Sequence, residues 1–238
     1  MKKIVLLSTE TLHHNFFINY LLKNDFKLTC CLFETTSVQP PFAVGPLYEE
    51  EENKFEETHF HVENAKLLRD ELIFYIDTVN SDQSFEKLSE IKPDLGVVFG
   101  MRKINLNIIE LFKDGLINVH RGISQKYRGL DSDLWAIYHS DYDNLGVTIH
   151  MVDPTLDIGD IVYQQKLILK RDMKIYQIRY YTTLIATELV TQALRDYLNY
   201  EMVLKPQEKI GRYYSFMPLA LKKWVNRKYN KYCNDING

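Results

Sequence analysis

Short apolar runs alternate with helix-like segments along most of this chain, and this alternation constrains the fold more than any other feature. Residues 3–8, 27–33, 73–79, 95–99 and 116–120 are apolar runs of strand length, and polar or amphipathic stretches separate them. In proteins with this pattern, helices cross over between neighbouring strands, so that the strands lie parallel in one sheet. We therefore predict an α/β fold with a mostly parallel sheet and flanking helices.

The second half of the chain continues this pattern before its composition changes. Residues 147–152 and 161–169 are predicted strands that close the sheet, and residues 173–199 form a long predicted helix. The shorter predicted helices cover residues 14–23, 85–91, 105–112 and 132–139. From residue 205 the chain becomes basic and aromatic, and it is too short there for a second globular domain. We expect one main domain over residues 1–204 and a C-terminal extension over residues 205–238 that contacts substrate or a second subunit.

The charge balance argues against a nucleic-acid-binding protein. The 238 residues carry 29 Lys and Arg against 32 Asp and Glu, which gives a formal net charge of −3. Binding to nucleic-acid phosphates requires an excess of cations on one face. We therefore expect no nucleic-acid partner.

Two further features predict a cytoplasmic protein that does not cross a membrane. The chain turns polar after the apolar residues 4–7 and has no run near the roughly 18 apolar residues that span a bilayer. Its three cysteines are odd in number, and Cys30 and Cys31 are adjacent in an apolar run. Because neither disulfide frameworks nor metal sites have this spacing, we expect free core thiols in a reducing compartment.

Several common functional motifs are missing. The ten glycines form neither GxGxxG nor GxxxxGK, which lowers the expectation for NAD and P-loop enzymes, and no GxSxG occurs. No Cys or carboxylate pattern around His13 and His14 has zinc spacing, so we expect no metal. The acidic run 49–52, with Glu56 and Glu57, is typical of a solvated helix face or loop, and we assign no function to it.

A pair of polar residues stands at the end of the fifth predicted strand. Asn118 and His120 lie two residues apart, so they face the same side at the edge where parallel sheets bind ligands. Asn supplies a donor for a developing oxyanion and His a base near neutral pH, a combination that suits attack on a carbonyl. The acidic loop 153–160 offers a carboxylate to orient the imidazole. From these residues alone, a purely structural role at turns stays open.

Four ordered segments carry a resemblance to a known family. Residues 117–120 (Ile-Asn-Val-His), 126–129 (Lys-Tyr-Arg-Gly), 146–150 (Gly-Val-Thr-Ile-His) and 156–161 (Leu-Asp-Ile-Gly-Asp-Ile) resemble, in order and spacing, the N10-formyltetrahydrofolate-dependent formyltransferases. That family includes glycinamide ribonucleotide, methionyl-tRNA and sugar-nucleotide formyltransferases. The similarity is strong over residues 94–170 and loose but collinear from residue 1.

The resemblance implies a Rossmann-like catalytic domain with N10-formyltetrahydrofolate as the formyl donor. It carries the family's catalytic Asn, His and Asp onto Asn118, His120 and Asp157. Asn118 would stabilise the tetrahedral oxyanion, His120 would handle the proton, and Asp157 would orient His120 or a bridging water. The pteridine would lie beside the loop after the fourth strand and the loop that begins at residue 151. The folate-binding candidates in these two loops are Phe99, Gly100, Met101, Arg102, Ile104, Met151, Val152 and Asp153.

Departures from the family point to the acceptor. The family's His-Pro-Ser-Leu-Leu-Pro is here His120 followed by Arg-Gly-Ile-Ser-Gln, and residues 8–14 lack the glycines that hold ribose phosphate in glycinamide ribonucleotide enzymes. We also expect no counterpart of the basic C-terminal domain that methionyl-tRNA enzymes carry. Residues 121–124 and the tail segment 213–218 look most like sugar N-formyltransferases of bacterial surface polysaccharides such as lipopolysaccharide O-antigen.

We therefore expect formyl transfer to the amine of a nucleotide-linked amino sugar, with dTDP-4-amino-4,6-dideoxyglucose as the leading acceptor. Alternatives are another amine, such as methionyl-tRNA, or a folate- or nucleotide-binding protein without turnover. Lys126, Tyr127 and Arg128 are candidates for contacts with phosphate or sugar. Tyr214, with Phe216 and Trp224, is a candidate for stacking on the base or for packing in the interface of an expected homodimer.

Overall fold

The structure is a computed structural model that describes residues 2–60, 68–155 and 157–236. Its strands are β1 (Ile4–Ser8), β2 (Leu28–Glu34), β3 (Ile73–Ile76), β4 (Leu95–Phe99), β5 (Leu116–His120), β6 (Tyr127–Gly129), β7 (Gly146–Met151), β8 (Ile161–Lys166) and β9 (Arg212–Tyr214). Its helices are α1 (Leu12–Lys23), α2 (Glu49–His59), α3 (Asp82–Ile91), α4 (Leu106–Ile109), α5 (Ser132–Tyr138), α6 (Ile178–Leu198) and α7 (Leu219–Asp235).

A seven-stranded sheet organises the fold, with strand order β3-β2-β1-β4-β5-β7-β8. The first five of these strands pair in parallel, whereas β7 pairs antiparallel with both β5 and β8. The predicted α/β fold with a mostly parallel sheet is confirmed. Because β1 and β4 are neighbours although β2 and β3 intervene in sequence, the chain changes direction across the sheet between them, and parallel sheets open a ligand crevice at such a point.

Helices cover both faces of the sheet, and alternate residues of each strand pack against one face or the other. Ile4 and Leu6 of β1 pack into a cluster with α1 and α6. Val5 and Leu7 of the same strand pack into a second cluster with residues of α3 and α4. Covering both faces makes a parallel strand continuously apolar, which explains the apolar runs in the sequence.

Several element boundaries differ from the sequence-based prediction. Strand β3 ends at Ile76 instead of Val79, because the Val79 N–H turns away from the sheet and donates to Glu34 Oε2 at 2.8 Å. The helix predicted over residues 105–112 is only the single turn α4. The small parallel sheet formed by β6 and β9 was not predicted, since three-residue strands carry too little periodicity to detect.

The C-terminal extension packs against the main domain. Met217, Val225, Tyr229 and Cys233 are buried in a cluster that also contains Ile137 of α5. All three cysteines are free and buried, as predicted. None of the described helices has both the length and the apolar character needed to cross a bilayer.

The acidic helix α2 corrects the prediction of a solvated face in part, since Glu50, Glu51 and Glu57 are exposed but Glu52 and Glu56 pair with an arginine. Arg179 of α6 donates to Glu56 through Nε at 2.6 Å and through Nη2 at 2.9 Å, and its Nη1 lies 2.7 Å from Glu52 Oε2. Glu56 is fully buried, and burial raises the pKa of Glu52 to about 7. The carboxylates therefore bind α2 to α6 through an arginine 123 residues away from Glu56 in sequence.

Replacing Arg179 by Met should destabilise the fold strongly. The substitution leaves Glu56 buried without its guanidinium, so we expect the free energy of unfolding to fall by about 3–5 kcal/mol. Urea denaturation followed by circular dichroism measures this loss.

Glu90→Ala is the matched control, because the exposed Glu90 pairs only at 3.6 Å with Lys87, three residues before it on α3. Its removal should change the free energy of unfolding by at most about 0.5 kcal/mol. Equal losses in the two variants would contradict a structural role for the buried pair.

Candidate active site

A cavity of about 720 Å³ opens at the carboxyl ends of β4 and β5. Residues 98–104, 118–121 and 129–133 line it, together with His150 and Asp157. This is the edge at which parallel α/β sheets bind ligands. The predicted catalytic residues therefore share one cavity.

His120 is buried and holds its ring in one orientation. Its Nε2 lies 2.8 Å from the carbonyl oxygen of Tyr127. Because a carbonyl only accepts hydrogen bonds, Nε2 carries a proton and Nδ1 is the basic nitrogen of the neutral ring. Nδ1 lies 3.5 Å from Asp157 Oδ2. The ring is thus fixed with its basic atom beside a carboxylate.

Asp157 lies at the centre of this group. Its Oδ2 accepts a hydrogen bond from the backbone N–H of Gly129 at 2.8 Å. Its Oδ1 lies 3.4 Å from Asn118 Nδ2 and 3.2 Å from His150 Nε2. Burial acts to raise the pKa of Asp157, but the two histidines and the Gly129 N–H outweigh it and hold that pKa well below its usual range. Asp157 is therefore ionised at neutral pH.

His150 is the site residue that the sequence reasoning missed. The antiparallel register of β5 and β7 places it opposite Asn118, and its Nε2 lies 3.2 Å from Asn118 Nδ2. Its Nδ1 donates to the carbonyl oxygen of Met151 at 2.8 Å. The segment 146–150 was recognised as a family motif, but its role depends on strand register, which periodicity does not specify.

The electrostatics of the group keep the imidazole uncharged. Burial lowers the pKa of His120 below its usual value, and the nearby Asp157 carboxylate opposes this only in part. A neutral imidazole, an amide donor on Asn118 and an ionised carboxylate together suit an amine that attacks a carbonyl and must lose a proton.

The loop after β4 forms one wall of the cavity. Phe99, Gly100, Met101, Arg102 and Ile104 all line it, as do Val152 and Asp153 on the other loop. Gly100 has φ +77°, and a Cβ there would lie 2.5 Å from His14 Cε1, so glycine is required.

Two of the proposed folate-binding side chains are engaged elsewhere. The Arg102 guanidinium pairs with Glu34 through Nε and donates to the Thr36 carbonyl through Nη2. These bonds link the loop after β4 to the end of β2 and the residues that follow it. Met151 does not line the cavity, since its methyl group packs toward Gly115 in the core.

The predicted substrate-binding side chains lie outside the cavity. Lys126 is exposed, and the Tyr127 hydroxyl donates to Asp141 Oδ2 at 3.0 Å. Arg128 Nε donates to the Gly211 carbonyl at 2.6 Å, and the Tyr214 hydroxyl lies 2.9 Å from His139 Nε2. The bonds of Arg128 and Tyr214 hold the tail against the main domain.

Three side chains that were not predicted as primary substrate contacts line the cavity: Arg121, Tyr213 and Phe216. Arg121 makes no hydrogen bond or ion pair with any residue that the structure describes. Its charge still acts on its surroundings, because it lowers the pKa of the buried His13 and His14 in addition to the effect of burial. Within the same described residues, no three His, Cys, Asp or Glu side chains are grouped in a way that would hold a metal ion.

Solved structures with the same fold include two sugar N-formyltransferases. The enzyme from Shewanella superposes with a TM-score of 0.64 at 15% identity, over 90% of this chain and 77% of that one. The N-formyltransferase from Helicobacter canadensis, solved with folinic acid and dTDP-3-aminofucose, superposes with a TM-score of 0.59 at 19% identity, over 90% of this chain and 71% of that one.

Sequence similarity extends to curated methionyl-tRNA formyltransferases. The protein from Finegoldia magna is 28% identical over 123 residues, which are 51% of this chain and 39% of that protein. The chain thus spans less than half the length of such relatives. The model of the formyl transferase family matches residues 2–197, which is most of the chain. This match and the shared fold show that the chain belongs to the formyl transferase family.

Proposed function

We propose that this protein transfers a formyl group from N10-formyltetrahydrofolate to the amine of a nucleotide-linked amino sugar, with dTDP-4-amino-4,6-dideoxyglucose as the leading acceptor. The observation that carries the reaction type is the convergence of Asn118, His120 and His150 on the ionised Asp157 inside one cavity. The bound complex of the Helicobacter canadensis relative, with a folate and a dTDP-linked amino sugar, supports both substrate classes.

The loop that begins at Phe99 fits a folate. A pteridine needs a flat apolar slot with backbone donors and acceptors at its edge. Residues 98–104 present backbone beside Val98, Met101 and Ile104, and the missing side chain of Gly100 lets this backbone pack against His14. We infer that this loop, with Val152 and Asp153 opposite, holds the donor. When bound there, the folate supplies the formyl carbonyl that the amine attacks.

Three residues of the protein stabilise the oxyanion charge and accept the proton of the attacking amine. Asn118 Nδ2 is the donor for the negative charge that develops on the carbonyl oxygen. His120, uncharged because it is buried, accepts the proton of the attacking amine at Nδ1. Asp157 Oδ2, 3.5 Å from Nδ1, then stabilises the imidazolium. The imidazolium returns the proton to N10 of the folate as the bond from that nitrogen to the formyl carbon breaks, so the folate leaves and His120 is neutral again.

We place the acceptor against Arg121, Tyr213 and Phe216, because Lys126, Tyr127, Arg128 and Tyr214 do not line the cavity. A diphosphate needs one or two cations, and Arg121 has no ion pair within the described part of the chain. Tyr213 is half exposed and is suited to stack on a base. Asp131 and Asp133, which line the same cavity, can accept hydrogen bonds from sugar hydroxyls.

The second candidate acceptor is methionyl-tRNA, which the names of the curated relatives favour. A net charge of −3 disfavours it, because holding a tRNA requires a basic face.

We also propose that the protein is a homodimer, which a measurement of its molar mass by light scattering would test.

Substitution of the three catalytic residues should abolish most turnover without unfolding the protein. We expect Asn118→Ala, His120→Asn and Asp157→Asn each to lower kcat by about 10²–10⁴-fold. Lys126→Ala is the control, since this side chain is exposed outside the cavity. The assay follows formyl transfer to the dTDP-amino sugar. Near wild-type turnover in any two of the three variants would contradict the mechanism.

Arg121→Met should weaken acceptor binding selectively. Loss of a charge-assisted contact to a phosphate should raise KM for the dTDP-linked sugar by about 10-fold or more, with kcat changed far less. Lys126→Met, which removes an exposed cation outside the cavity, should leave KM unchanged.

The same assay run with three acceptors decides the substrate class. The proposal predicts formylation of the dTDP-linked sugar, and none of methionyl-tRNA or glycinamide ribonucleotide. Preference for either of the latter would overturn the acceptor while leaving the chemistry intact.

A further inference from the structure

We propose that Gln207, in the C-terminal extension, is a positioning residue for the carboxylate of Asp157, and that the extension thereby completes the catalytic site. The inference rests on the proposed formyl transfer for its kinetic consequence. It concerns a residue beyond positions 2–197, the part of the chain that matches the family.

The Gln207 amide joins two loops of the site. Its Nε2 donates to the carbonyl oxygens of Asp157 and Gly159, each at 2.9 Å. Its Oε1 accepts from the hydroxyl of Ser124 at 3.1 Å. Ser124 is fully buried in the loop that follows His120. One side chain therefore ties the loop that carries the catalytic carboxylate to the loop that follows the catalytic imidazole.

The loop that carries Asp157 needs such a restraint. Asp157 has φ +55°, a left-handed conformation that is unfavourable for a residue with a side chain. On its other side the loop is pinned by the Met151 N–H, which donates to the Asp160 carbonyl at 2.8 Å. Gln207 supplies the opposing pair of bonds, so the backbone on either side of Gly159 is held.

The same extension also holds the partners of the catalytic groups. Strand β6 provides the Tyr127 carbonyl that accepts from His120 and the Gly129 N–H that donates to Asp157. Strand β9 pairs in parallel with β6, and the Leu130 N–H donates to the Tyr214 carbonyl at 3.0 Å. Thus β9 and Gln207 fix, from one segment, the backbone groups that orient both His120 and Asp157.

This arrangement has a specific kinetic consequence. Gln207 is not among the residues that line the cavity, so its loss should not alter binding of either substrate. Small displacements of a catalytic group cost about 10–100-fold in rate. Loss of the amide should therefore lower kcat and leave KM unchanged.

The test compares Gln207→Met, which keeps the size and removes the hydrogen bonds, with Gln192→Met. Gln192 is a glutamine on α6 whose Nε2 donates to Asp196 at 2.7 Å, away from the cavity. We expect about a 10–100-fold loss of kcat in Gln207→Met with both KM values within about twofold, and no change in Gln192→Met. A kcat within about twofold of wild type in Gln207→Met overturns the proposal. Ser124→Ala, which removes one bond of the same amide, should give a smaller loss and serves if Gln207→Met does not fold.

A second readout does not depend on formyl transfer. The Asp157 carboxylate raises the pKa of His120, so a displaced carboxylate should let that pKa fall further, which a histidine titration followed by NMR measures. An unchanged His120 pKa in Gln207→Met overturns the positioning role even if kcat falls. If the wild-type protein transfers no formyl group, the proposed function fails, and this titration still decides the role of Gln207.

Discussion

The buried carboxylate of Asp157 is the group on which the rest of the site depends. It is 8% exposed, and a carboxylate so buried is costly unless donors and positive charge surround it. The chain supplies donors from two strands, Asn118 Nδ2 from β5 and the Gly129 N–H from β6, and it places the rings of His120 and of His150 on β7 beside the same carboxylate. The fold must therefore bring these strands and the Asp157 loop to one point.

The reversal of direction at β7 is what makes this possible. Because β7 runs antiparallel to β5, His150 pairs with Asn118, and the chain leaves β7 at Val152, whose N–H donates to the carbonyl oxygen of Leu116 at 2.7 Å. Asp157, between β7 and β8, lies with Oδ2 3.5 Å from His120 Nδ1 and with Oδ1 3.2 Å from His150 Nε2. Burial keeps His120 uncharged while Asp157 stays ionised, so a base and its counter-charge coexist at neutral pH.

The predictable part of the molecule is the part encoded by local periodicity and by motif. Apolar runs predicted the parallel sheet, and the end of the fifth strand predicted the place of Asn118 and His120. What the sequence did not show are long-range pairings. The position of His150 depends on strand register. The burial of Glu56 on the acidic helix α2 depends on Arg179, which pairs with it from α6. The side chains predicted to contact substrate, Lys126, Tyr127, Arg128 and Tyr214, do not line the cavity, and periodicity does not distinguish residues that line a cavity from residues that pack.

The central claim is that a neutral His120 beside an ionised Asp157 accepts the proton of the amine, and the pH dependence of kcat tests it most directly. In the proposed mechanism the uncharged ring is the active form, and burial holds its pKa below the usual 6.5, so protonation should abolish turnover only in acid. With both substrates saturating, kcat should be constant above pH 6.5. Below the His120 pKa, kcat should decrease in inverse proportion to the proton concentration. A kcat that falls as the pH rises through 6.5 would contradict the account.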